Sequence, residues 1–286
     1  MTPHFTRRTF LTLVGGSALA SMAAIPLLSH AEQPLTIAEI KKAGVLRVGV
    51  EAAYVPFTFR KDGAIVGYDI DLADLFCKTL GVKPEIIDTA WAGVIPSLYA
   101  GKFDIIMSAM SYTAERVKRV GFSIPYAEAS QAMLVRAGDE KTIRTVTDLN
   151  GLVIAVKLGS PGQILQEKIN VKLKADGGPG IREVKIFDDH PAAYLSLAQG
   201  KVDVVLNTIP TLAMVLKDAP GKYAIVKGLG ADNWAGIATR AENTEVIAFL
   251  NQELTRLKAD GTLNQLQEKW FGFRMTLADK IPNFSS

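Results

Sequence analysis

Three side chains suited to acid or base chemistry, Glu51, Lys157 and His190, stand at or near the ends of apolar runs. No nucleophile elbow or phosphate-cradling loop accompanies them, and His190, within Asp188-Asp189-His190-Pro191, reads as the cap of a following helix. The other polar groups at such ends are neutral: Ser108 and Ser111 around the backbone of Ala109 and Met110, then Ser160, and the pair Asn207 and Thr208. They suit a polar ligand held by hydrogen bonds, or ordinary turn chemistry. Tyr54 stands in one such end, and Trp91 stands ahead of a helix expected over residues 92–100, where packing in the core is the plain reading. A carboxylate at position 51 favours a cationic or hydrogen-bonding group on the ligand. Acids and bases that converge are too few for an enzyme site, so these residue types point to a binding module.

The elements that must position them follow a repeating order. Residues 45–50 and 152–156 are short continuous apolar runs, each followed by a loop and a helical pattern. The string Ser97-Leu98-Tyr99-Ala100-Gly101-Lys102-Phe103-Asp104-Ile105-Ile106-Met107 returns 99 residues later as Ser196-Leu197-Ala198-Gln199-Gly200-Lys201-Val202-Asp203-Val204-Val205-Leu206. Each copy reads as a helix end, a glycine cap and a buried strand. Continuous apolar strands alternating with helices imply open parallel α/β sheets with helices on both faces, and two such units imply two similar lobes. Ligands of open parallel sheets bind beyond the carboxyl ends of the strands. That rule selects residues 51–54, 108–111, 157–162 and 207–208. Residues 131–135 and 235–238 read as two hinge strands crossing between the lobes, and residues 242–258 and 262–270 as a final helix pair.

The first 31 residues contain no Asp, Glu or Lys, and carry Arg7 and Arg8 ahead of an apolar stretch ending in Ser29-His30-Ala31. This is the pattern of an export signal of the twin-arginine type cleaved after Ala31. Removing 31 of the 286 residues leaves 255, and losing two arginines lowers the formal net charge from +3 to +1. A nearly neutral chain without a basic run has no electrostatic footprint for nucleic acid or an anionic membrane, although the whole sequence has a pI of 8.8. The composition, 48% hydrophobic and 21% charged, is that of a globular protein. After the signal only His190 and Cys77 remain of their kinds, too few for a His/Cys metal site or a disulfide, and no cofactor is implied. Cys77 falls in a helical run as a buried, inert thiol.

A resemblance then emerges from strings spread over residues 45–272. They include Arg47-Val48-Gly49-Val50-Glu51, Gly67-Tyr68-Asp69-Ile70-Asp71-Leu72, Met107-Ser108-Ala109-Met110-Ser111-Tyr112-Thr113-Ala114-Glu115-Arg116 and Lys269-Trp270-Phe271-Gly272. In order and spacing they resemble the periplasmic solute-binding proteins of polar amino-acid ABC transporters. That resemblance implies two α/β lobes, with residues 32–131 and 237–286 in one and 132–236 in the other, and capture of a carboxylated small molecule by hinge closure. It further implies a monomer delivering to an inner-membrane permease, with Arg116 as a bidentate clamp on the ligand carboxylate and Ser108 and Ser111 beside it. Tyr54 and Trp91 match the aromatic walls, Glu51 an acidic position, and Lys157 a lysine that either reaches the cleft or stays exposed. Two departures stand out. Thr208 occupies the place of an aspartate that pairs with the ligand ammonium, and Pro161, in Gly159-Ser160-Pro161-Gly162, has no N–H to donate. The missing acid leaves the contact to Asn207 or Glu51, or implies a ligand with a modified or absent α-amino group. A secreted cyclohexadienyl dehydratase on the same scaffold is the enzymatic alternative.

Overall fold

The computed structural model describes residues 33–283, so the expected signal, its cleavage point and the Arg7-Arg8 pair lie outside the described residues. Helix α1 (Ile37–Ala43) leads into β1 (Val45–Val50), the first apolar run. A small meander of β2 (Ala53–Tyr54), β3 (Thr58–Lys61) and β4 (Ala64–Val66) follows, each strand too short to leave a sequence period. Next come α2 (Tyr68–Leu80), β5 (Lys83–Asp88), α3 (Val94–Tyr99) and β6 (Ile105–Ser111). Short strands β7 (Gly121–Phe122) and β8 (Ala127–Glu128) lead to β9 (Gln131–Arg136). The second series is β10 (Val153–Lys157), α4 (Pro161–Ala175), β11 (Glu183–Phe187), α5 (His190–Ala198), β12 (Val204–Thr208) and α6 (Ile209–Asp218). After β13 (Tyr223–Val226) and β14 (Trp234–Thr239) the order ends with α7 (Thr244–Ala259) and α8 (Thr262–Phe271).

These strands form two α/β lobes. The lobe 1 sheet runs β5-β1-β6-β14-β7, with β8 also on β14, and the lobe 2 sheet runs β11-β10-β12-β9-β13. In both, the first three strands are parallel and the fourth is antiparallel. Side chains alternate between faces, and both faces are dry, which is why the strands read as unbroken apolar runs. Ile105, Met107 and Ala109 pack with Phe76 and Leu254 on one face, whereas Ile106 and Met110 meet Leu98 and Phe103 on the other. In lobe 2, Val204 and Leu206 face Ile169 and Leu173, while Val205 faces Leu197 and Leu212.

The sequence repeat is a duplicated corner. Gly101 and Gly200 follow α3 and α5 at φ of 70° and 69°, a left-handed conformation that glycine adopts without steric cost. Asp104 and Asp203 then accept from the backbone N–H of Arg47 and Val153, both at 2.8 Å, locking β6 to β1 and β12 to β10.

The hinge expectation shifts by a few residues. β9 lies wholly in the lobe 2 sheet and β14 wholly in that of lobe 1, because an apolar strand buried on both faces needs ladder partners along its length. Trp234, Ala235 and Gly236 thus belong with lobe 1 rather than with residues 132–236. The crossings are the polar and glycine-containing links at residues 129–130 and 227–233, tied together by Ala129 N donating to Asn233 O at 2.8 Å and Asn233 N to Ser130 Oγ at 3.1 Å. The helix expected over residues 92–100 is a 3-10 turn (Trp91–Gly93) running into α3, and the helix expected from residue 242 starts at Thr244.

Candidate functional site

The carboxyl ends of β1, β6, β10 and β12 converge on a narrow cleft of about 320 Å³, counting the part open to solvent. Lobe 1 sets two charges beside it, Glu51 and Arg116, neither of which is among the residues that line it. Glu51 directly follows β1, where its N–H donates to Ser108 Oγ at 3.2 Å and its carbonyl accepts from Thr58 Oγ1 at 2.7 Å. Its carboxylate pairs with the Lys157 ammonium across the cleft. Lys157 is 3% exposed, so of its two readings the buried one holds. Burial holds the Glu51 carboxyl above its usual range and the Lys157 ammonium below, each shift opposed by the attraction between them.

Arg116 stands on a 3-10 turn (Arg116–Lys118) after β6 and is 7% exposed. Its Nη1 donates to Ser111 O at 3.0 Å and its Nη2 to Gly159 O at 2.9 Å, and no carboxylate among the described residues pairs with it. Burial lowers its pKa to about 10, which still leaves a cation at neutral pH. Gly159, at φ 69°, turns the lobe 2 loop so that its carbonyl also accepts from Trp91 Nε1 at 3.0 Å. Both lobe 1 charges are therefore covered by lobe 2 groups, Arg116 by a carbonyl and Glu51 by Lys157.

Tyr54 and Trp91 both line the cleft. The Lys157 Nζ lies 5.0 Å from the Tyr54 ring centroid and 4.8 Å from that of Trp91, and Arg116 Cζ is 5.0 Å from the same indole. Ser108, Ala109 and Ser111 line the cleft. Met110 is not among the lining residues: its side chain packs in the core beside Leu98 and Phe103, whereas the expectation for it concerned the backbone. Ala109 has φ 45°, a strained value for a residue with a Cβ, and its N–H is taken by Tyr126 Oη at 2.9 Å. Tyr126 in turn donates to the buried Asp69 carboxylate at 2.8 Å. The backbone donor expected at Ala109 is thus spent on its own support.

In lobe 2, Ser160 caps α4 by accepting from Gln163 N at 3.3 Å, with Pro161 as the first helical residue. Asn207 and Thr208 line the cleft, but their polar groups are engaged. Asn207 Oδ1 accepts from Tyr54 Oη and from Thr208 N, and its Nδ2 donates to Tyr194 Oη at 2.6 Å. Thr208 Oγ1 shares a hydrogen bond with Tyr54 Oη at 3.0 Å and donates to Thr211 Oγ1 at 3.1 Å. Of the two candidates for an ammonium partner, Glu51 has the free valence.

Sequence reasoning did not place Gln131 or His190 in the cleft, and both line it. Asp189, not His190, caps α5, through Oδ1 accepting from Ala192 N at 2.9 Å. The His190 ring is instead buried at 4% exposure and stacked between Tyr54 and Tyr194, with neither nitrogen hydrogen-bonded. Burial and the nearby Lys157 charge hold it neutral. The signal available in sequence was the Asp-Asp-His order, since a cap needs one acid and the residue after it can turn inward. Cys77 is buried in α2, its thiol pushed up to about 11 by burial.

Comparison with known proteins agrees with this arrangement. Residues 46–273 match the profile of the bacterial extracellular solute-binding proteins, family 3. The chain is 31% identical over 265 residues to the L-cystine-binding protein TcyJ of Escherichia coli (strain K12), covering 92% of this chain and 96% of that one. It is also 31% identical over 237 residues to ABC transporter arginine-binding protein 1 of Escherichia coli (strain K12), covering 79% and 90%. Among solved structures, an ancestral amino acid-binding protein described as a precursor of cyclohexadienyl dehydratase superposes with a TM-score of 0.75 at 36% identity, over 82% of this chain and 99% of that one. The curated relatives are binding proteins of transporters rather than enzymes. With two sheets of one strand order, a cleft at their carboxyl ends and a profile match spanning both, the chain belongs to the bacterial extracellular solute-binding proteins, family 3.

Proposed function

We propose that this protein captures an amino acid, or a small carboxylate resembling one, by closing its two lobes, and hands it to the permease of an ABC importer. The observation that carries this reading is Arg116, a buried guanidinium whose partners are two carbonyl oxygens and no carboxylate among the described residues. A buried cation is costly unless an anion compensates it, and a ligand carboxylate fits the planar fork that now rests on Gly159 O. Relatives named for L-cystine and arginine support a ligand of amino-acid type. The links at residues 129–130 and 227–233 act as the hinge, lobe 1 holding the ligand while lobe 2 swings over it. Arg7-Arg8 and the small residues before Glu32 further support export by the twin-arginine route, giving a monomeric periplasmic protein.

The test is a thermal-shift screen of amino acids, betaines, opine-like conjugates and plain carboxylates, followed by calorimetry, because a ligand bound only to the native state raises its stability. The expected result is one-to-one binding with the ligand recovered unchanged by mass spectrometry. Conversion of the ligand on prolonged incubation would sink the binding-protein reading.

A further inference from the structure

Three buried charges in alternating sign stand at the cleft, Arg116, Glu51 and Lys157, at 7%, 6% and 3% exposure; Lys157 lines it, and the other two lie behind the contacts they make with Gly159 and Lys157. One indole, Trp91, faces both cations. Two other acids act on this group from a distance and are committed elsewhere. Asp189 caps α5, and Asp88 pairs with Arg60 while accepting from Ala52 N. Asn207 and Thr208 add only neutral groups already tied to other side chains. Beyond Tyr54, the unpartnered His190 forms the wall between the cleft and a second cavity of about 450 Å³, which Val55, Tyr194, Thr211 and Met214 help to line. Two ring nitrogens buried without hydrogen bonds are costly to leave so, and they mark a place for a polar ligand group.

Resting on the carboxylate-capture reading above, we propose that the ligand is an α-amino dicarboxylate, with its α-carboxylate on Arg116, its ammonium on Glu51 and its second carboxylate between Lys157 and His190. The ligand then replaces the two contacts that the Arg116 and Glu51 side chains make across the cleft. Its carboxylate takes the Arg116 position of Gly159 O, and its ammonium frees Lys157 from Glu51 to meet the second carboxylate. Every buried charge keeps an opposite partner. A neutral side-chain amide would leave the Lys157 ammonium without a countercharge, and a cationic side chain would set a third positive charge beside the same indole. His190 supplies a donor to the distal carboxylate.

Calorimetry on the full chain with L-glutamate, L-2-aminoadipate, L-glutamine and L-arginine distinguishes these cases. The dicarboxylates should bind at least about tenfold more tightly than glutamine, the worth of one charge-assisted bond, and arginine should give no heat. Lys157→Met should erase the preference over glutamine, and His190→Phe, which keeps the stacked ring, should weaken aminoadipate more than glutamine. Glutamine or arginine binding as tightly as the dicarboxylates would overturn the assignment while leaving carboxylate capture in place. Silence from all four and from the wider carboxylate screen would overturn both.

Discussion

Along the last residues of β6 the chain passes Ser108, Ala109 and Ser111 before it reaches Arg116, whose guanidinium donates to two backbone carbonyls. In the other lobe β12, which follows the duplicated corner, ends on Asn207 and Thr208, whose polar atoms are already bonded to Tyr54, Tyr194 and Thr211. The two corners share a glycine turn and an aspartate register lock, so backbone geometry does not separate them. The side chains do. Lobe 1 keeps an uncompensated charge for a ligand, while lobe 2 spends its neutral groups on contacts across the cleft. A two-lobed clip needs this asymmetry, because a ligand anchored equally on both halves before closure would hold them apart at the spacing of its own two ends.

Arg116→Met strikes the comparison hardest. Truncating one member of a buried charge pair costs about 2–5 kcal/mol, so affinity for a carboxylate ligand should fall by roughly two orders of magnitude or more in calorimetry. The thermal midpoint of the variant should not fall, because a buried charge is removed and no ion pair among the described residues is lost. Unchanged affinity would take Arg116 out of the site and leave the two corners chemically equal.

The support behind each corner differs as well. Ala109 is held by Tyr126, and Tyr126 by Asp69, a fully buried carboxyl raised from 3.8 to about 7 by burial, with Oδ2 unpartnered. Between those two values the folded chain keeps a proton that the unfolded chain has released. The stabilisation from this group is therefore complete below pH 3.8 and is lost as the pH rises through about 7, at most about 4 kcal/mol for three pH units. Asp69→Asn preserves the acceptor for Tyr126 and should flatten that decline in denaturant titrations run from pH 4 to 8. Equal slopes for the two proteins would show that lobe 1 carries no titrating support at this corner. At the end of β12 stands an amide, Asn207, and lobe 2's buried His190, held neutral, contributes the opposite slope, with stability lost as the pH falls.

Much of this was legible in the sequence because buried parallel strands announce themselves. The runs at β1, β10 and the two repeat copies are apolar on both faces, and the strand-end rule then selected Glu51, Ser108, Lys157 and Asn207 without reference to any fold. Met110 was named for its backbone, and a strand-end window says nothing of its side chain, which packs with Leu98 and Phe103 in the core. The hinge was shifted because an apolar segment leaving a lobe looks the same whether it crosses or pairs. His190 was missed for a different reason: its environment is built by Tyr54, 136 residues away in sequence and contributed by the other lobe. Long-range stacking leaves no local period to read.

Tyr54 itself offers a smaller test, since its hydroxyl is the one side-chain oxygen of lobe 1 that reaches both Asn207 and Thr208. Tyr54→Phe retains the wall and removes the latch, so closure should weaken by about 1 kcal/mol, read as several-fold faster ligand dissociation in stopped flow with association little changed.

Thr208→Ala should do least. The family resemblance expects an acid here, yet the hydroxyl present is divided between Tyr54 and Thr211, and Tyr54 keeps Asn207 as a partner when it is gone. The loss is one neutral hydrogen bond at a buried but redundant position, below about 1 kcal/mol in ligand affinity. The size of this effect relative to Arg116→Met measures the asymmetry directly. If the two substitutions cost the same, Thr208 contacts the ligand as strongly as the clamp does, and the division into an anchoring lobe and a latching lobe is wrong. If Thr208→Ala is near neutral while Arg116→Met abolishes binding, recognition of charge rests on lobe 1, and the acid missing from β12 is replaced by Glu51 at the end of β1.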